Sequence, residues 1–295
     1  MEAKLRFSQR HPFIFGVLLI VLAVALIAGA MAFFGSSGVG SFGFSRTKLG
    51  QANIYGTIME SAPVVEWLNA LREDESVKGV LLRVDSPGGA IAPSQEIYRA
   101  VQRLAEVKPV VASFGTVAAS GGYYVSAPAT KIVANPGSIT ASIGVKAEFM
   151  TFGAALEKLG IKPEVLATGR FKAAGTPLKD LTEAQRRQIL ELMNDMQDQF
   201  VTDVAKGRNM KVEEVKAIAD GRGITGRQAL VYGLVDRLGG RDDAIELLKG
   251  LCGITKRVPL VEGPVEEKTL LEELIGIRSA ELHHMLRAPG WIFSY

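Results

Sequence analysis

Histidine and cysteine are scarce in this chain. Among 295 residues there are three histidines and a single cysteine. Cys252 has no second cysteine to pair with, which excludes an internal disulfide framework and any cysteine-rich zinc signature. His11 lies near the start, and His283 and His284 lie together near the end, all far from any cluster of carboxylates. Neither a metal site nor a cofactor is therefore expected. A strong excess of one charge is missing as well. The 34 basic and 31 acidic residues leave a net charge of +3, and no basic run is interleaved with aromatics. Nucleic acid is thus not an expected partner. Self-similarity at the periods of roughly 20 to 50 residues that mark solenoids is also absent.

Apolar residues are plentiful, at 47% of the chain, and they are unevenly spread. Residues 12–35, PFIFGVLLIVLAVALIAGAMAFFG, contain no charge. As a helix this run is long enough to cross a hydrocarbon core of roughly 30 Å. Ala28-Gly29-Ala30 has the small residues of a cleavage site, but apolar residues continue through Phe34, so an uncleaved anchor is expected. Lys4, Arg6 and Arg10 precede the run. Basic flanks stay in the cytoplasm. The layout expected is a cytoplasmic flank (1–11), one transmembrane helix (12–35) in the inner, cytoplasmic membrane, and a domain on its extracytoplasmic side. A lone cysteine fits an exported domain that needs no disulfide. Residues 36–50, rich in glycine and serine at their start, read as a linker. The globular domain then covers 51–261. A tail, 262–295, ends in Trp291-Ile292-Phe293-Ser294-Tyr295 and reads equally as a free terminus or a docking segment.

Within the domain, strands and helices alternate. Strands are expected at 53–59, 79–84, 110–114, 131–134, 142–145 and 258–261, with 163–167 extended. Helices are expected at 62–73, 93–105, from about 118, and at 151–159, 182–206, 212–219, 225–232 and 242–249. Trp67, Leu68 and Leu71 form one apolar stripe, and Ile97, Val101 and Leu104 another. The run Gly79–Val84 (GVLLRV) is apolar throughout, as a strand covered on both faces would be. Such alternation predicts an α/β fold of parallel strands with crossover helices.

Three stretches carry candidate chemistry. Ser120, in Ala118-Ala119-Ser120-Gly121-Gly122, falls between a strand and a helix start. It is a relaxed relative of the G-x-S-x-G elbow, with alanine at the first glycine position. Free N–H groups at a helix start favour a developing negative charge. The plain alternative is a serine that merely caps the helix. Ser86-Pro87-Gly88-Gly89 follows the buried strand, and a glycine turn at a strand's carboxyl end can aim amides at a bound oxyanion; it can equally be an ordinary turn. Lys172 sits in Gly169-Arg170-Phe171-Lys172-Ala173-Ala174-Gly175-Thr176-Pro177. Lysine ordinarily titrates near about 10.4 and is a base only when apolar surroundings lower that value. Phe171, Ala173 and Ala174 would suit such surroundings. With no imidazole nearby in sequence, a neutral lysine is the substitute base. A second Ser-x-x-Lys, Ser45 to Lys48, lies in the linker and is read as chance.

Taken in order, SPGG, AASGGYY, IVANPGSITASIGV, GRFKAAGTP and GRGITGRQALVYGLVDRLGG resemble the signal peptide peptidase A family, across about residues 51–260. The resemblance implies a Clp-protease/crotonase fold of repeated ββα units and a membrane-anchored serine endopeptidase with a Ser-Lys dyad. It implies Ser120 as nucleophile, Lys172 as general base, Gly89 and Gly121 as oxyanion-hole amides, and Ser142 as the residue that orients the lysine. The family usually has glycine where this chain has Ala141. Its short form is expected to assemble as a homo-oligomer in which neighbouring subunits complete the dyad. The substrates implied are remnant signal peptides and other apolar peptides at the membrane. Alternatives are a related peptidase dedicated to a membrane-protein partner, such as a stomatin-like one, and an inactive crotonase-like scaffold.

Overall fold

The computed structural model describes residues 13, 16, 19–26, 47–264 and 293–295. It divides into two units, 1–46 and 47–295. In the first, residues 19–26 are helical with exposed side chains. No helix among the described residues is long and apolar enough to cross a membrane. Most of the expected span, 12–35, lies outside the described residues.

In the second unit the elements run, in order, β1 (Lys48–Tyr55), α1 (Ala62–Glu73), β2 (Val77–Ser86), α2 (Ile91–Ala105), β3 (Val110–Ala119), α3 (Gly121–Ser126), β4 (Lys131–Ala134), β5 (Ile139–Ala141), β6 (Lys146–Ala147), α4 (Gly153–Lys158), α5 (Glu183–Arg208), α6 (Val212–Lys216), β7 (Gly223–Thr225), α7 (Gly226–Val231), β8 (Arg237–Leu238), α8 (Arg241–Leu251), β9 (Leu260–Gly263) and β10 (Phe293–Ser294). The main sheet has the order β7-β5-β3-β2-β1-β9, with β4 also beside β3 and β8 beside β4. All its pairs are parallel except β5 with β7. The mixed α/β architecture expected from the alternation is therefore present. β1 begins at Lys48, inside the stretch read as linker, where Lys48 pairs with Asp74 at 2.8 Å.

The central strands are covered on both faces, and their side chains divide by the two-residue period of a strand. Val80, Leu82 and Val84 of β2, with Val110, Ala112 and Phe114 of β3, point into the larger core under α1, α2 and α5. Leu81 and Val111 point into a smaller core against Ala244 and Leu248 of α8. All of these are essentially inaccessible. Burial on this scale contributes roughly 25 cal/mol per Å² of apolar area removed from water. Leu68, Leu71, Ile97, Val101 and Leu104 are buried as their stripes predicted.

One long strand positions the site. The first half of β3 pairs with β4, Val111–Ser113 against Lys131–Val133. Its last three residues leave β4 and pair with β5, Val117–Ala119 against Ile139–Ala141. The sheet thus divides along β3, and the end of β3 is gripped by a strand of its own.

Candidate active site

β3 stops because Ser120 turns to φ 56° and ψ −121°. Non-glycine residues rarely take such angles, and holding one there costs of order 1–3 kcal/mol. Two bonds keep it in place. The Ser120 N–H donates to the Ala141 carbonyl at 2.7 Å, and the Ser120 carbonyl accepts from the Tyr124 N–H at 2.9 Å. The residue is 7% exposed. Its hydroxyl makes no bond to cap α3. The reading of Ser120 as an ordinary capping serine therefore fails, and a strained strand-to-helix elbow takes its place.

Glycines let other backbone reach this elbow. A side chain on Gly122 would meet the Ser86 carbonyl at 2.6 Å, and one on Gly121 would begin 2.7 Å from the Ser94 hydroxyl and 3.2 Å from the Gly89 nitrogen. Gly88 has a φ of 105°, open only to glycine. A side chain on it would begin 2.7 Å from the Gly121 nitrogen and 2.9 Å from Ser120 Cβ. The SPGG turn is thus folded against the elbow. It is pinned there by the Gly88 N–H, which donates to Ser86 Oγ at 3.1 Å, and by Ile58, whose N–H donates to the Gly88 carbonyl at 2.9 Å. Gly121 is the first residue of α3, where an N–H has no intrahelical acceptor. Among the described residues, neither the Gly89 nor the Gly121 N–H has a hydrogen-bond acceptor.

Ser142 follows the carbonyl that holds Ser120. Both Ala141 and Ser142 have positive φ, 58° and 51°. That backbone explains why glycine suits position 141, and alanine adopts it here at some strain. It also ends β5 at Ala141, so the strand expected at 142–145 lies instead at 139–141. The Ser142 hydroxyl donates to the Gly221 carbonyl at 3.1 Å, and its N–H to the Arg222 carbonyl at 3.1 Å. Gln197 of α5 supports this loop through its amide, which donates to the Ile143 and Ala219 carbonyls at 3.3 and 3.1 Å.

Lys172 is not brought to Ser120 within one chain. It lies in a succession of turns, its N–H donating to the Gly169 carbonyl at 3.2 Å, and its side chain is exposed. Phe171 is exposed too, with the Arg170 guanidinium 5.1 Å from its ring centre. Only Ala174 of the neighbours is buried. The apolar shelter suggested by the loop's composition does not form inside a single chain. The segment expected to be extended, 163–167, joins no strand.

A cavity of about 550 Å³ opens beside the elbow, lined by Gly88, Gly89, Lys146, Met150, Phe152 and Tyr295 among others. Tyr295 was not legible as a site residue. Its only signal was the aromatic cluster at the chain's end. The ring is buried against Phe200 and Tyr124, with centroids 4.5 and 4.9 Å away. Burial raises its phenol to about 12, so the group is neutral and can donate. The partners Tyr123 and Tyr124 are shifted upward as well, mainly by burial.

The sequence profile of Peptidase family S49 matches residues 102–255, a span that contains the elbow, the Ala141–Ser142 corner and the Lys172 loop. The chain belongs to this family. A candidate protease of Synechocystis sp. is 38% identical over 79% of this chain and 84% of its own length. A candidate signal peptide peptidase SppA of Enterococcus faecium is 42% identical over 62% of this chain and 53% of its own. The chloroplastic serine protease SPPA of Arabidopsis thaliana is 35% identical over 80% of this chain but only 35% of its own. As a member of the S49 family, the chain is a serine-type peptidase. The chain thus spans most of the first relative and about half and a third of the other two.

Proposed function

We propose that this S49 peptidase cleaves apolar peptides with a Ser120–Lys172 dyad assembled between subunits at a membrane surface. The observation that carries the reading is the elbow: a buried serine, held at a backbone angle it resists, beside two amides with no acceptor. In this reading a neutral Lys172 amine takes the Ser120 hydroxyl proton as Oγ bonds to the peptide carbonyl carbon. The carbonyl oxygen becomes an oxyanion facing the Gly89 and Gly121 N–H groups, where each preorganised donor contributes on the order of 3 kcal/mol. The lysine returns the proton to the leaving amine as the C–N bond breaks. Water, deprotonated by the same amine, then releases the acyl group. Ser142 orients the amine by exchanging its present Gly221 acceptor for it.

The subunit contact supplies what one chain lacks. Exposed Met150, Phe152, Leu159, Ile161, Leu166 and Phe171 surround the Lys172 loop in sequence, an apolar surface larger than isolated proteins usually leave open. A second copy covering it would dry the lysine and lower its pKa. The order β1-α1-β2-α2-β3, wholly parallel, supports the Clp-protease/crotonase arrangement of repeated units. The uncharged run at 12–35 supports a single-pass anchor with the domain outside the inner membrane and residues 1–11 in the cytoplasm. Remnant signal peptides, apolar and already in the bilayer, are the substrate class that such a placement fits.

The test is hydrolysis of fluorogenic apolar peptides by the purified full chain in detergent. Ser120→Ala and Lys172→Ala should each lower kcat by at least about a thousandfold without altering assembly, as loss of a triad-like member does. Undiminished turnover by Ser120→Ala would overturn the reading.

A further inference from the structure

Residues 293–295 take no part in the chemistry above, yet they lie in the cleft. Ser294 is paired on both sides. In β10 it stands opposite Lys146 of β6, antiparallel, and on its other side it forms an antiparallel bridge with Ala90. The Tyr295 N–H donates to the Gly89 carbonyl at 3.1 Å. The segment is the middle strand of a small ribbon, and without it Lys146–Ala147 and Gly89–Ala90 would present two facing unpaired edges. Such a slot accepts an extended peptide of any sequence through main-chain bonds and chooses among sequences by side-chain pockets.

The strand ends at the elbow. The Tyr295 carbonyl oxygen, Ser120 Cβ and the Gly121 nitrogen all lie within 2.9 Å of the point where a side chain on Gly88 would begin. In acyl transfer, the residue whose carbonyl meets the nucleophile places its own side chain in the adjacent pocket. Here that side chain is a buried phenol. Tyr124 and Phe200 wall the ring, and Tyr124 rests on Tyr98 at 4.9 Å and on Phe200 at 5.0 Å. The walls are fixed by bonds of their own: the Tyr98 hydroxyl donates to the Asp203 carbonyl at 3.0 Å, and the Tyr124 hydroxyl to the Asp203 carboxylate. At the pocket's far end the Gln95 amide donates to the Tyr295 hydroxyl at 3.3 Å. That hydroxyl faces the Met196 carbonyl at 3.5 Å.

We propose that residues 293–295 occupy the substrate cleft as a tethered competing peptide, and that the Tyr124, Phe200 and Gln95 pocket selects an aromatic side chain, tyrosine before phenylalanine, on the acyl side of the scissile bond. The specificity half rests on Ser120 being the nucleophile; the binding half does not. Gln95 is the specificity-determining residue for the hydroxyl. A neutral hydrogen bond of this kind discriminates by a fewfold to about tenfold.

Two measurements on the full chain test the proposal. In the first, Tyr295→Ala and, separately, Ser294→Pro unseat the strand, the second without touching the pocket. Each should lower KM for a fluorogenic peptide amide with tyrosine before the scissile bond, by about tenfold, and the tyrosine-over-phenylalanine preference should vanish on adding Gln95→Leu. In the second, a labelled pentapeptide of residues 291–295 is added to the Tyr295→Ala chain and followed by fluorescence anisotropy. It should bind, its binding should survive Ser120→Ala, and replacing its own tyrosine by alanine should abolish it. Unchanged KM in both strand variants, or equal binding of the alanine-ended pentapeptide, would overturn the proposal. If binding behaves as stated but Ser120→Ala keeps full turnover, the nucleophile assignment fails and the tethered strand stands.

Discussion

Three backbone positions around the reacting serine hold residues other than glycine at positive φ: Ser120, Ala141 and Ser142. Each stores strain that the surrounding bonds must hold, and this is how the hydroxyl is kept from settling into a cap. Ala141 contributes no side-chain bond in return. Ala141→Gly should therefore stabilise the fold by about 1 kcal/mol, read as a higher denaturant midpoint with an unchanged slope. Ser120 offers a sharper comparison, because both of its small variants lack a hydroxyl. Ser120→Gly should be more stable than Ser120→Ala by about 1 kcal/mol despite glycine's entropy, since only glycine accepts φ 56° with ψ −121° freely. Equal midpoints for the two would show that the elbow relaxes without strain. Ser120, Gly89 and Gly121 were legible in the sequence because small residues in a row have few other uses. The strain at 141 and 142 was not, since alanine and serine carry no mark of a positive φ.

Among the elements, α5 does more than fill the core. Thr182 opens it with a reciprocal cap, its hydroxyl accepting from the Gln185 N–H at 3.3 Å while the Gln185 side chain accepts from the Thr182 N–H at 3.0 Å. Thr182→Ala should cost about 1 kcal/mol of stability. Farther along, Gln197 holds the Ser142 loop, Phe200 walls the aromatic pocket, and Arg208 reaches Asp236 at 2.5 Å. Burial alone would raise the Asp236 carboxyl. The Arg208 charge, the Ile132 N–H and the Lys131 amine outweigh it and leave the group below its ordinary 3.8. A depressed carboxyl stabilises the fold above its unfolded pKa, and that contribution disappears as pH falls through the lower, folded value. Unfolding free energy should accordingly drop as pH falls below about 4, and Asp236→Asn should flatten part of that slope. Long elements such as α1, expected and found at 62–73, were legible from periodic apolar residues and capping signals. β6, β7, β8 and β10 have two or three residues each, too few to show a period, and their pairing depends on distant partners.

At the scale of the whole molecule, the serine and its amides come from one chain while the lysine stays in water. If neighbouring subunits complete each site, two inactive proteins should rescue one another. Mixed and reassembled Ser120→Ala and Lys172→Ala chains should regain hydrolysis that neither has alone, because some sites then join an intact serine to an intact lysine. Continued inactivity of a verified mixed assembly would place both groups on the same chain. The alternation of strands and helices made the parallel sheet legible, but composition could not show which side of the Lys172 loop would be covered, since a second copy leaves no separate trace in the sequence. The strand at 293–295 has a bearing on drug design. Joined to the domain by residues 265–292, it is present at an effective concentration of order millimolar. An inhibitor of this cleft must displace a ligand that dilution cannot remove, and its measured potency should rise when position 295 is no longer aromatic.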